Sequence, residues 1–169
     1  ANSVMSDGKI GLILRSQTNK NHVQKLHHPM NQEALMNKLR RSGLRPTPQR
    51  LAIGKLLFDR GNRHVTAESL QEEAKTNDCK VSLATIYNTL HQFTEAGLLR
   101  QIIVDPTRAY FDTNTTSHHH FFHEDTLVLE DIPGERVTVQ IDGRNPFSAK
   151  APAGKKITEV GVIIRISSE

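Results

Sequence analysis

The chain has 169 residues, 36% of them hydrophobic and 5% aromatic, with no tryptophan; it makes one large domain or two small ones, and an aromatic platform for sugars or stacked bases is excluded. Its net charge is +4, with 16 basic and 9 acidic residues up to Tyr110 but 6 and 9 after it, which points to a polyanion-binding first part and a second part of different purpose. The single cysteine, Cys79, excludes an intramolecular disulfide and a multi-cysteine zinc site, and the apolar run Leu12-Ile13-Leu14 is far too short for a signal peptide or a membrane span, so a cytoplasmic protein is expected.

Residues 1–30 show no sustained periodicity and read as a disordered tail, with His22, His27 and His28 as solvated bystanders. Helix signals begin at Asn31, which caps a segment carrying Leu35 and Leu39 on one face and ending at Gly43. Thr47 caps the next helix, with Pro48 at its first position, Ile53, Leu56 and Leu57 as its stripe, and Gly61 as its stop. Thr66 caps a third helix with Leu70 and Ala74 inward. Ser82 caps a fourth, in which Leu83, Ile86, Leu90 and Phe93 recur at helical spacing up to Gly97. The period then changes to that of strands over Leu98–Val104 and Ala109–Asp112, with Asp105-Pro106-Thr107-Arg108 as the turn.

Helices followed by a hairpin give the winged-helix order, and the third and fourth helices make its helix-turn-helix. The rival is a generic helical bundle with a hairpin; the basic charge in the same segment favours the winged helix. Past Ser117 the chain alternates strands, with Thr126–Ile132 and Arg136–Ile141 joined by Pro133-Gly134-Glu135, and a longer one over Ile157–Ile166. The intervening Asp142–Lys156 holds two glycines and two prolines, against a regular helix. Three strands make no stable free-standing unit, so a partner chain is expected to complete the sheet. The fold class is therefore α+β: a tail over 1–30, a winged helix over 31–111, a hinge over 112–117 and a small dimerisation and sensing domain with an antiparallel sheet over 118–169.

The fourth helix is the candidate reader of double-stranded DNA. With its apolar stripe inward, Thr85, Tyr87, Asn88 and Gln92 are left toward solvent. Asparagine pairs bidentately with adenine, and threonine or a tyrosine ring meets a thymine methyl. Ser82 at the helix N-terminus suits a phosphate, and Arg45 and Arg50 at the start of the second helix suit the DNA backbone. The bland alternative is a set of ordinary solvated polar positions.

A second constellation is sharper. Four of the nine histidines lie between His118 and His123. In an extended segment His118 and His120 share one side, and His119 points the other way. His64, Asp112 and Asp131 are separate candidates for the same site. Imidazole with carboxylate suits Fe(II), Mn(II), Zn(II) or Co(II), with geometry selecting among them. A triple histidine is also a tag or a metal-scavenging tract; its internal position before Phe121-Phe122 favours a built site. Cys79, in the turn of the helix-turn-helix, reads as a small buried filler.

Gly43-Leu44-Arg45-Pro46-Thr47-Pro48-Gln49-Arg50, His64-Val65-Thr66-Ala67-Glu68-Ser69-Leu70 and Ser82-Leu83-Ala84-Thr85-Ile86-Tyr87-Asn88-Thr89-Leu90 together resemble the ferric uptake regulator family over roughly Leu35 to Ile166. The run His118-His119-His120-Phe121-Phe122-His123-Glu124-Asp125 resembles the iron response regulator subgroup. The resemblance implies a homodimer on an AT-rich palindromic operator. It implies a regulatory divalent metal (Fe, Mn or Zn) held by His64, Asp112, His118, His120 and Asp131. From the subgroup it implies heme, which switches the regulator off, bound in the region His118, His119, His120. The chain departs from the family in four ways, the first being that the Pro/Gly-rich Asp142–Lys156 stretch replaces the dimerisation domain's usual helix. His123 and Thr126 stand where the first of two Cys-x-x-Cys zinc pairs would be, and nothing replaces the second. Asn88 stands where many members have arginine. Ser117 replaces a histidine of an additional metal site.

The reading that follows is a dimeric iron- or heme-responsive transcription regulator, a repressor with no membrane association and no enzymatic role. Its rivals are a winged-helix DNA binder without ligand sensing, and a metal-dependent hydrolase using the His cluster with Glu124 as its acid or base.

Overall fold

The structure is a computed structural model that describes residues 10–14, 30–132, 137–141, 153–156 and 161–168. The chain divides into two compact units, one over Val23–Thr116 and one built from both Ala1–His22 and Ser117–Glu169. In chain order the elements are β1 (Ile10–Leu14), α1 (Gln32–Arg41), α2 (Pro48–Phe58), β2 (His64–Val65), α3 (Ala67–Thr76), α4 (Leu83–Glu95), β3 (Arg100–Asp105), β4 (Arg108–Asp112), β5 (His119–His123), β6 (Val128–Ile132), β7 (Val137–Ile141) and β8 (Ile163–Ile166).

Each helix starts on the side chain that its sequence offers. Asn31 Oδ1 accepts from the Ala34 N–H at 2.7 Å, Thr47 Oγ1 from Arg50 at 3.3 Å, and Ser82 Oγ from Thr85 at 3.1 Å. Thr66 makes a reciprocal box: its Oγ1 accepts from the Ser69 N–H at 3.1 Å while Ser69 Oγ accepts from the Thr66 N–H at 3.0 Å. Thr66→Ala therefore strands a donor in the first turn of α3 and should cost about 1 kcal/mol. The check is a lower urea midpoint at an unchanged denaturant slope. At the other ends, Gly43 and Gly97 take φ of +76° and +71°, where a side chain would strain.

The apolar stripes meet in one core. Leu35 and Leu39 of α1, Ile53 and Leu57 of α2, Leu70 of α3, Ile86, Leu90 and Phe93 of α4, and Phe111 of β4 are all buried. Gly54 sets the approach of α1 to α2, since a Cβ there would lie 3.0 Å from Leu35 Cδ1. The Phe58 and Phe93 rings stack at 6.2 Å between centroids. The sheet of this unit has the order β2-β4-β3, antiparallel throughout, which completes a winged helix with α3 and α4 as its helix-turn-helix. Cys79, expected to be buried, is half-buried with a free thiol.

In the other unit β5 is the central strand, antiparallel to β6 and parallel to β8. The expected hairpin of β6 with β7 does not form. β6 pairs back with β5 across the Glu124–Leu127 turn, where Leu127 takes φ of +58°, and β7 pairs with β1 from Leu14↔Val137 to Ile10↔Ile141. Among the described residues β6 pairs with β5 alone, at the edge of that sheet, and β7 goes to a distant strand of matching β-propensity. Within the segment read as a tail, Ile10–Leu14 is thus a strand. Of the longer strand expected over Ile157–Ile166, Ile163–Ile166 is strand, and residues 157–160 lie outside the described residues. So do the turn at 133–135, most of the Pro/Gly-rich stretch, and His22, His27 and His28. No described helix is long and apolar enough to cross a membrane.

Candidate metal centre and nucleic-acid interface

The strand period decides where the histidines go. Along β5 burial alternates, so His118, His120 and Phe122, at 5%, 3% and 3% exposure, share one face, and His119, Phe121 and His123 are on the other. The β5–β6 register sets His120 directly opposite Asp131. Asp131 Oδ1 then lies 3.2 Å from His118 Nε2 and 3.7 Å from His120 Nε2, and the two imidazole centroids are 4.4 Å apart. Each of the three side chains thereby offers a ligand atom within 4.8 Å of the others. Two imidazole nitrogens, one from β5 and one from the residue before it, around one carboxylate oxygen of β6 make a His/Asp cluster able to coordinate a divalent cation. His119, on the opposite face, does not join it.

A second pair forms in the winged-helix unit. β2 and β4 bring His64 opposite Asp112, with His64 Nε2 3.6 Å from Asp112 Oδ2 and the two side chains 10% and 0% exposed. Asp112 Oδ1 accepts the Asn114 N–H at 2.7 Å, which fixes the carboxylate plane. The strand ends are tied beside it, with the Arg63 N–H donating to Thr113 Oγ1 at 2.8 Å and the Thr113 N–H to the Arg63 carbonyl at 3.1 Å. Arg63 itself is clamped by Glu73 of α3, donating from Nη1 at 3.1 Å and from Nη2 at 2.6 Å. Of the expected ligands, His118, His120 and Asp131 are brought together in one unit and His64 and Asp112 in the other. His123, where a zinc cysteine would stand, pairs with Glu130 at 3.1 Å.

On α4, Ser82, Tyr87 and Asn88 are exposed and Thr85 is half-buried. The Ser82 and Thr85 hydroxyls also share a hydrogen bond of 2.8 Å. Arg45 is exposed. Arg50 instead braces the domain: Nε and Nη2 donate to Gln92 Oε1 at 3.1 and 2.9 Å, and Nη1 to the Arg45 carbonyl at 2.8 Å. Gln92, expected among the solvent-facing readers, is thus turned toward α2 because the Arg50 guanidinium holds its carbonyl. Thr47, Gln49, Arg50, Thr85, Asn88 and Gln92 line a groove of about 290 Å³ between the start of α2 and α4.

One residue at this surface was not singled out from the sequence. The Tyr87 hydroxyl donates to Glu68 Oε1 at 2.6 Å, from α4 to the first turn of α3. This hydrogen bond is the main cause that holds the Glu68 carboxyl below the ordinary carboxylate range, helped by its own backbone N–H. The same bond, with some burial, pushes the Tyr87 phenol above its usual value. No sequence period links residues 19 apart, so only the crossing of α3 and α4 reveals the pair.

Comparison with known proteins agrees with both halves. The ferric uptake regulator family matches residues 41–141. The peroxide-responsive repressor PerR of Staphylococcus aureus (strain Mu50) is 31% identical over 102 residues, 60% of this chain and 67% of that protein. The fold resembles the ferric uptake regulator of Pseudomonas aeruginosa solved with manganese, with a TM-score of 0.59 at 22% identity over 80% of this chain and 98% of that one. It resembles the Vibrio cholerae ferric uptake regulator with a TM-score of 0.60 at 21% identity over 79% and 98%. With a winged helix, a His/Asp cluster fit for a divalent cation and a family match across both, this chain belongs to the ferric uptake regulator family: it is a metal-responsive DNA-binding transcription regulator, not an enzyme.

Proposed function

We propose that the protein is a homodimeric iron-responsive repressor, in which one divalent cation held by His64, Asp112, His118, His120 and Asp131 governs binding to an AT-rich palindrome. The observation that carries this reading is the convergence of His118, His120 and Asp131 on β5 and β6. The donor set is all nitrogen and oxygen, which suits Fe(II), Mn(II) or Zn(II) and needs no thiolate. A bound cation supplies a fixed bridge among its ligands. His64 and Asp112 belong to the winged helix and the other three to the second unit, so their common ligation through the hinge at 112–117 sets the spacing of two recognition helices in a dimer. A ligand that fits one arrangement better shifts the population toward it.

Heme is the proposed second signal, following the resemblance of the His118–Asp125 run to the iron response regulator subgroup. Heme held by His118 and His120 would withdraw both imidazoles from the cation and so would weaken operator binding; His119, the third histidine of the run, faces the other side of β5. Base readout is assigned to Tyr87, Asn88 and Thr85, and phosphate contacts to Ser82 and Arg45; Arg50, an expected phosphate contact, braces α2 against Gln92 of α4.

The test is a titration of chelator-treated protein with Mn²⁺, Zn²⁺ and hemin separately, followed by absorbance and by affinity for a palindrome selected from random duplexes. Divalent metal is expected to tighten binding and hemin to reverse it with a Soret band. Affinity unchanged by every ligand would leave a DNA binder without sensing. Response to metal with no Soret band would remove heme and keep the cation.

A further inference from the structure

We infer that Glu68 is a positioning residue for base readout: its carboxylate, by accepting the Tyr87 hydroxyl hydrogen, fixes the Tyr87 ring so that ring carbons, not the hydroxyl, meet the DNA. The inference rests on the proposed role of Tyr87 as a base reader.

Three observations carry it. First, Tyr87 is tethered at both ends. Its hydroxyl bonds Glu68 at 2.6 Å, and its ring stacks on His91, one helical turn on, at 6.4 Å and 19°. His91 in turn sets its ring edge-on to Phe111 at 5.7 Å and 84°, and Phe111 is wholly buried in the core. The exposed tyrosine, at 36% of its surface, is therefore referenced to the rigid interior and not left to swing on its two torsions.

Second, the anchor is itself fixed. Glu68 stands in the first turn of α3, where the helix dipole favours a carboxylate. The reciprocal Thr66–Ser69 box sets the backbone of that turn. Arg108, in the wing, adds a favourable charge.

Third, the hydrogen bond uses the hydroxyl's one proton. A phenol has a single O–H donor. With that proton given to Glu68, Tyr87 cannot donate to a phosphate, and a carboxylate beside it repels phosphate. What remains for DNA is the apolar ring. The partner that fits is the C5-methyl of thymine in the major groove. Glu68 thus acts on specificity by what it withholds as well as by what it orients, and its charge disfavours non-specific backbone binding.

The experiment uses the full-length, Mn²⁺-loaded protein and a selected AT-rich palindrome. Each thymine of a half-site is replaced in turn by deoxyuridine, which removes only the C5-methyl, and affinities are read by fluorescence anisotropy beside random duplex. Wild type is expected to lose about five- to tenfold at one thymine. Glu68→Ala should cut that methyl penalty to about twofold or less, while binding to random duplex stays equal or tightens. Glu68→Gln, which still accepts the hydroxyl hydrogen, should keep most of the penalty. Tyr87→Phe should lose it as Glu68→Ala does, and the double variant should be no worse than either. Unchanged thermal midpoints of the exposed-site variants confirm that the fold is intact. Full methyl discrimination in Glu68→Ala, with none in Tyr87→Ala, overturns the role of Glu68 and leaves that of Tyr87. Full discrimination in Tyr87→Ala overturns the base-reading role itself, and with it this one.

Discussion

Replacing His118 and His120 together by alanine should abolish the response of operator binding to divalent metal. Both imidazoles face Asp131 Oδ1, at 3.2 and 3.7 Å, so the double variant keeps one carboxylate of the three donors on that unit. Of the five proposed ligands His64, Asp112 and Asp131 remain, and Asp131 alone cannot tie a cation to the second unit as two imidazoles and a carboxylate do. Coupling between effector and DNA typically spans about 5- to 150-fold in affinity, and that whole interval should vanish. The fold should persist, because β5 keeps its hydrogen bonds to β6 and β8 and Asp131 is open enough to water to remain solvated alone. Operator affinity of wild type and variant is measured with and without Mn²⁺, with sedimentation to confirm the assembly. A variant that still responds fully would place the sensor elsewhere, with the tail histidines His22, His27 and His28 next to be replaced.

The largest loss of stability is expected from Phe93→Ala. Its ring is wholly buried, stacks on Phe58 at 6.2 Å and lies among side chains of all four helices. Its carbonyl accepts the Leu98 N–H at 2.8 Å, so the backbone closing α4 survives the substitution and the loss is one of packing. Removing a buried aromatic ring costs about 3–5 kcal/mol, set against about 5–15 kcal/mol for a whole domain. Phe93→Leu, which refills part of the cavity, should cost roughly half as much. Ile103→Ala, at a position 66% exposed on the wing, should change stability by about 0.5 kcal/mol or less. Urea unfolding followed by helical circular dichroism ranks the three. Equal costs for Phe93 and Ile103 would show that the helical core is not where the stability of this unit resides.

What could be read from the sequence divides along physical lines. The helices were legible because their signals are local: Asn31, Thr47, Thr66 and Ser82 each cap the helix that follows, and the stripes ending at Leu39, Leu57 and Phe93 form the core. The separation of His118 and His120 from His119 was legible because the strand period is two. Strand partners were not. Nothing in Val137–Ile141 names Ile10–Leu14 as its neighbour, and a short turn made β6 look like the nearer choice. The surface of α4 was legible as exposed positions but not as contacts. That Arg50 would capture Gln92, and Glu68 the hydroxyl of Tyr87, depends on how α4 crosses α2 and α3, and long side chains have many partners in reach until that angle is set.

The pairing of β1 with β7 also imposes an order of events during synthesis. β1 emerges from the ribosome roughly 120 residues ahead of the strand that will cover its edge, and at about 5–20 residues per second it waits on the order of ten seconds. All of the winged helix is made in that interval and has its own core to fold around. The waiting strand, Ile10-Gly11-Leu12-Ile13-Leu14, is apolar apart from its glycine, with open backbone donors and acceptors. Neighbouring nascent chains on one message carry the same unpaired edge, and edge-to-edge capture between them competes with the return of β7. Slower initiation, which spaces the ribosomes apart, should therefore raise the soluble yield of this protein more than it raises that of its winged helix made alone.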